Sequence, residues 1–161
     1  MAFAGNTVAI EPAPAVQGDR VNNGAIFYTA HNYLTSTPCK VGEFVWCDTT
    51  NPQIAVKNVG GGAFPYNKPV GIIERTHEYT GFVADSLTVP AKANVTIVEK
   101  GVMWATADTT VTVGMVAFAT VADGSIQFAA SGTSITGAIE TDWKAISAGA
   151  TGDLVMISNV L

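Results

Sequence analysis

The chain is 161 residues long, with a formal net charge of −5 and 13% charged residues, about half the usual globular share of ~25%. That length suggests one domain or two small fused lobes, and an apolar share of 48% is enough for a proper core. The eight basic residues are scattered and do not interleave with aromatics, which argues against a nucleic-acid partner, and no apolar run approaches a membrane span, which argues against a membrane partner.

Taken from the start, Met1 to Pro12 has neither the basic region nor the long apolar region of a secretory signal. Pro12 and Pro14, set between alanines, make an extended segment, and Asn22-Asn23-Gly24 reads as a turn. Residues 1–38 are therefore read as an extended N-terminal arm, followed by a β-sandwich or barrel domain at 39–161. An arm of this kind is suited to add as a strand to a neighbouring sheet.

Strands follow at near-regular spacing: 40–48, 53–59, 70–75, 79–84, 87–89 and 95–98. Gly101 reads as a bulge, after which Val102-Met103-Trp104 continues with shifted facing. Further strands are expected at 109–113, 135–141 and 154–160, while Trp143 to Ile146 is either one helical turn or a strand start. No window sustains the i, i+3, i+4, i+7 pattern of an amphipathic helix. About ten short strands at this spacing predict an all-β sandwich or barrel.

The clearest hairpin runs from Val113 to Ala130 around Asp123-Gly124. A two-residue primed turn there sets Val121 opposite Ile126 and Ala119 opposite Phe128. Ala119, Val121, Ile126 and Phe128 then share a core face, and Phe118 falls on the other, mixed face. Phe118 is thus either under a second layer or a contact residue; it is the one strand aromatic assigned to a contact.

The opening phrase of this hairpin occurs twice. Val41 to Trp46 matches Val113 to Phe118, Val70 to Thr76 matches Thr136 to Thr141, and Asn94 to Val98 matches Asp153 to Ile157. The order is kept while the loops shorten, which reads as an internal duplication of an all-β unit. Under this match Glu74 and Glu140 occupy equivalent positions, a structural equivalence and not a catalytic pair.

No catalytic or metal-binding pattern emerges. His31 and His77 form no H-x-x-x-H motif, Gly132 to Thr136 is not a nucleophile elbow, and Gly60-Gly61-Gly62 lacks the Lys-Ser/Thr of a phosphate loop. Cys39 and Cys47 are expected as reduced thiols. Catalytic, cofactor and metal sites are all expected to be none.

The phrases K-V-G-x-F-V at 40–45, P-V-G-I-I-E at 69–74, E-K-G-V-M at 99–103 and G-D-L-V-M-I-S at 152–158 resemble the structural cement, or head decoration, proteins of tailed bacteriophages. The resemblance implies a jelly-roll-like, non-enzymatic homo-dimer or homo-trimer. Its partner would be the major capsid protein, bound on the outer surface of the virion after synthesis in the host cytoplasm. Ile10, Pro12, Pro14, Val16, Phe64, Tyr66 and Phe118 are the expected capsid or subunit contacts. Truncating the first 20 residues is expected to abolish shell binding and leave the fold intact. The alternative is a carbohydrate-binding or adhesin-like β module of a phage fibre, with an exposed Trp/Tyr groove as its sign; an enzyme ranks third.

Overall fold

The computed structural model describes residues 15–21, 25–30, 32–60, 68–76 and 87–160. All regular structure in them is β: fourteen strands instead of about ten. They are β1 (Phe27–Tyr28), β2 (Tyr33–Thr35), β3 (Cys39–Lys40), β4 (Phe44–Cys47), β5 (Ala55–Lys57), β6 (Gly71–Ile73), β7 (Thr88–Val89), β8 (Asn94–Val95), β9 (Ile97–Lys100), β10 (Val102–Thr106), β11 (Val116–Thr120), β12 (Ile126–Ala129), β13 (Ala138–Ala145) and β14 (Leu154–Ser158).

Seven strands form one sheet in the order β1-β9-β6-β4-β5-β2-β8, and five form a second in the order β10-β14-β13-β11-β12. A small third sheet pairs β3 with β7. Gly101 separates β9 from β10, which lie in different sheets. It marks the crossing from one sheet to the other, not a bulge within a single strand.

The first five strands of the large sheet repeat the second sheet. The neighbours β1-β9-β6-β4-β5 correspond one for one to β10-β14-β13-β11-β12, in the same chain order and all antiparallel. Hydrogen bonds fix the alignment. The Gly42 amide donates to Ile73 O at 2.9 Å and the Ile73 amide to Glu43 O at 3.2 Å; the Gly114 amide donates to Ala145 O and the Ala145 amide to Met115 O, both at 2.8 Å. Gly42 and Gly114 both have a positive φ, 75° and 91°, a conformation that glycine adopts without steric cost.

This pairing corrects two of the three sequence matches. Ile73 corresponds to Ala145, so Gly71 falls on Trp143, six residues beyond Gly137. Ile97 faces Ile73 and Ile157 faces Ala145, so Asn94 falls on Leu154 and not on Asp153. Glu74 and Glu140 are therefore not equivalent.

The two units pack head to tail. Phe44, Trp46, Ile72 and Val98 of the first unit share a core with Ala117, Ala119, Ile126, Phe128, Trp143, Ala145, Val155 and Ile157 of the second. The first-unit equivalents of Ala117, Ala145 and Ile157 are Val45, Ile73 and Ile97, and these point to the opposite side, into a second cluster. The first unit therefore has two apolar faces to cover. The extra strands supply the second cover: Tyr33 of β2, Cys39 of β3, Val89 of β7 and Val95 of β8 close over Val45, Ile73 and Ile97. In the second unit Lys144 and Ser158 stand where the first unit has Ile72 and Val98; Lys144 is exposed and Ser158 is buried, beside the buried Val116 and Phe118 of the same face.

The hairpin register also differs from expectation. Ala119 pairs with Ile126 and Ala117 with Phe128, so the loop is longer than two residues and the register is shifted by two. A shift of two preserves facing, and Ala119, Ile126 and Phe128 do lie in the core. Phe118 is 2% exposed. It is buried within the single chain, which removes it from the expected contact residues.

Candidate functional site

Sheet edges, not a pocket, are the informative surface. An edge strand presents unpaired backbone groups, and each edge must be covered or blunted. Residues 18–21 cover the outer edge of β10. The Gly18 amide donates to Trp104 O at 2.9 Å, the Trp104 amide to Asp19 O at 2.8 Å, and the Val21 amide to Val102 O at 3.0 Å, with an antiparallel bridge between Arg20 and Met103.

The same segment is tied to the first unit. The Arg75 amide donates to Gly18 O at 2.8 Å, Arg75 Nη1 lies 3.2 Å from Asp19 Oδ1, and Gln17 Nε2 donates to Val41 O at 3.0 Å. Gln17 Oε1 accepts from Thr106 Oγ1 of β10 at 2.8 Å. Residues 15–21 are thus a strap across both units, and its first residue, Ala15, is buried. With β1 and β2 inside the large sheet, the described part of residues 1–38 is built into the fold. The expectation that the first 20 residues are dispensable for folding meets these bonds, which a truncation at residue 20 would break.

Two buried carboxylates lie near the joints. Glu74 is 3.9 Å from Arg20 Nε and accepts from the Tyr28 hydroxyl at 3.4 Å. Burial pushes its carboxyl above the ordinary range, against the opposing pull of Tyr28 and Arg20. Glu43 is 7% exposed and its Oε2 has no hydrogen-bond partner. Burial raises its carboxyl to about 7, with Lys40 opposing and Asp123 and Asp108 adding to the rise. These groups sit between elements and do not converge on a cleft. Among the described residues, no group of three or more His, Cys, Asp or Glu side chains could hold a metal ion.

Of the expected contact residues, Val16 is 38% exposed within the strap. Ile10, Pro12, Pro14, Phe64 and Tyr66 lie outside the described residues, as do His31 and His77. Trp46 and Trp143 are buried and Trp104 is half-buried. Sequence reasoning missed Phe27 and Tyr28, which are 57% and 43% exposed on edge strand β1. Their signal was the uncharged aromatic run Ala25-Ile26-Phe27-Tyr28, which had been assigned to the arm.

Against known proteins, the family model described as structural cement protein (E217 gp24/Pam3 gp6) matches residues 4–159. The chain belongs to the structural cement protein family. The matched span includes both repeated units and the strap. No curated protein matches. Among solved structures, a chain from the capsid of Myoviridae phage XM1 is similar, with 16% sequence identity and a TM-score of 0.67 over 99% of this chain and 98% of that one. At that identity the likeness establishes a shared fold. No helix in the described part of this cement-family chain is long and apolar enough to cross a membrane.

Proposed function

We propose that this protein is a non-enzymatic cement protein that binds the outer surface of a phage head and stabilises contacts between major capsid subunits. The observation that carries this reading is the family match over residues 4–159. The likeness to a chain of a phage capsid supports it. The physical character of the molecule agrees. Both faces of the first unit are buried, the strap ties the units together, and the buried carboxylates serve joints and not a reaction centre. A stiff body suits a role in which modest contacts are multiplied over a lattice.

In this reading attachment uses Ile10, Pro12 and Pro14 of the chain before the strap, together with Val16, Phe64 and Tyr66. The protein is placed on the virion exterior, and its synthesis in the host cytoplasm. Co-sedimentation with empty capsids tests the reading. Saturable binding at a fixed ratio to the major capsid protein is expected, and loss of binding on deletion of residues 1–14, which leaves the strap whole. A protein that stays in the supernatant at every ratio refutes the cement role. Undiminished binding after the deletion refutes the role of the arm alone.

A further inference from the structure

The two ends of the described chain lie in one sheet, on either side of a single strand. Residues 18–21 run antiparallel along one side of β10, bridged at Arg20 and Met103. β14 runs antiparallel along the other side, in a ladder from Val102↔Ser158 to Thr106↔Leu154. Two segments that are each antiparallel to a third are parallel to each other, so the strap and β14 point the same way. The strap enters at the level of Thr106, whose Oγ1 donates to Gln17 Oε1 at 2.8 Å. β14 ends at the level of Val102. The chain thus enters and leaves this three-segment ribbon at opposite ends.

That placement decides how a pull on the ends is carried. Hydrogen bonds between antiparallel strands lie perpendicular to them. A force along the strands slides one past the next and strains every bond of a seam together, whereas a force across them opens the seam one bond at a time. The strap seam has three backbone bonds, donated by the Gly18, Trp104 and Val21 amides. The β10–β14 seam is a ladder of five residue pairs. It lies over the buried Met103, Ala105, Val155 and Ile157, in surroundings where a hydrogen bond is stronger than in water. Past β14, Asn159 anchors the exit: its Nδ2 donates to Glu99 O at 2.9 Å and its Oδ1 accepts from the Gly101 amide at 2.8 Å. At the entrance the Arg75 amide holds Gly18 O. Both ends are therefore tied to the first unit as well as to the second.

We propose that the strap, β10 and β14 form a tension clamp between the two ends of the chain. Tension between the chain before residue 15 and the chain after Ser158 is carried along the strands, in shear, through both seams at once. A partner that holds the protein by its N-terminal segment can then pull on the body without peeling the strap away. The inference stands on strand direction and not on capsid binding, so it holds or fails apart from the cement reading.

Single-molecule force spectroscopy on the full chain tests it, with one protein pulled in two directions. A Cys47→Ser, Thr110→Cys variant, in which the remaining Cys39 is buried, carries one handle at residue 1 and the other at residue 161 or at residue 110. Thr110 is exposed and follows the end of β10 that lies beside the strap's entrance, so the second geometry pulls across the strap seam. At one pulling speed the unfolding force is expected to be roughly threefold higher end to end, because three strap bonds share the load there and part in turn in the other geometry. Val21→Pro removes the amide that donates to Val102 O, the last bond reached when the seam is peeled. It is expected to lower the end-to-end force by roughly a third and to leave the first rupture across the seam unchanged. Equal forces in the two geometries, a weaker end-to-end geometry, or a V21P protein that loses force equally in both directions or in neither each overturns the proposal.

Discussion

Phe44 and Gly124 meet backbone to backbone across the joint between the two units. The Phe44 amide donates to Gly124 O at 2.9 Å, and a Cβ on Gly124 would collide with Phe44 O. Gly124 also has φ +78°, so alanine there meets both a strained backbone and a blocked space. Gly114 has φ +91° with nothing near its missing side chain. G114A is therefore expected to cost about 1–2 kcal/mol, the usual left-handed penalty. G124A adds overpacking of roughly 1–3 kcal/mol. Urea denaturation of both variants checks the ranking; equal losses would mean that the hairpin loop is not clamped by Phe44.

The strap makes a length-dependent prediction. Deleting residues 1–14 is expected to leave the melting temperature within a few degrees of wild type. Deleting residues 1–21 removes the backbone bonds along β10 and the Arg75–Asp19 pair, and it lays open Trp104 and Met103 at a bare edge. Lower solubility and a clear drop in melting temperature are expected for the longer deletion. Identical behaviour of the two truncations would contradict a structural role for residues 15–21.

How much of this was legible in the sequence depended on which signals survive local shifts. The repeat was visible in Val41-Gly42 and Val113-Gly114, because a glycine at positive φ must recur wherever the backbone makes that turn. Its later phrases slipped, by six residues at Gly137 and by one at Asp153. The reason is that Val-Gly and alternating apolar phrases recur by chance, whereas hydrogen-bond register cannot be read from composition. The facing of Ala119, Ile126 and Phe128 was right despite the wrong loop length, since a two-residue shift conserves side. Phe118 was misjudged because alternation predicts which side a residue takes and not whether that side is covered. The β1 edge went unnoticed because a two-residue strand leaves almost no periodic signal.

The two cysteines are free, and Cys39 is fully buried while Cys47 is half-buried on β4. Burial pushes the Cys39 thiol up to about 11, so at pH 8 it is both shielded and almost wholly protonated, and the thiolate is the reactive form. Under native conditions a maleimide or iodoacetamide is expected to label Cys47 alone, with the second equivalent entering only in denaturant. Peptide mapping by mass spectrometry reads this directly. Rapid native labelling of Cys39 would show that the small β3–β7 sheet opens far more readily than its packing implies.

Glu43 gives the protein a pH-dependent joint. Its side chain is 9% exposed and Oε1 lies 3.6 Å from Lys40 Nζ, which is itself largely in solvent. Oε2 has no partner, Asp108 and Asp123 add negative charge, and the neighbouring Cys39 thiol is neutral. The folded-state value near 7 lies above the ordinary value of 4.5. The folded protein therefore holds the Glu43 proton over a range in which the unfolded chain has released it. Stability should fall as pH rises from about 4.5 to 7 and level off above that, a loss of roughly 3 kcal/mol at most. In the second unit the equivalent position is Met115, which shows that the turn itself needs no carboxylate. Glu43→Met and Glu43→Gln are therefore expected to remove this part of the pH slope and to be more stable than wild type at pH 8. Denaturation midpoints at several pH values between 4.5 and 8 decide it: a wild type and an E43Q with parallel pH profiles would mean that the Glu43 carboxylate is compensated in the folded state.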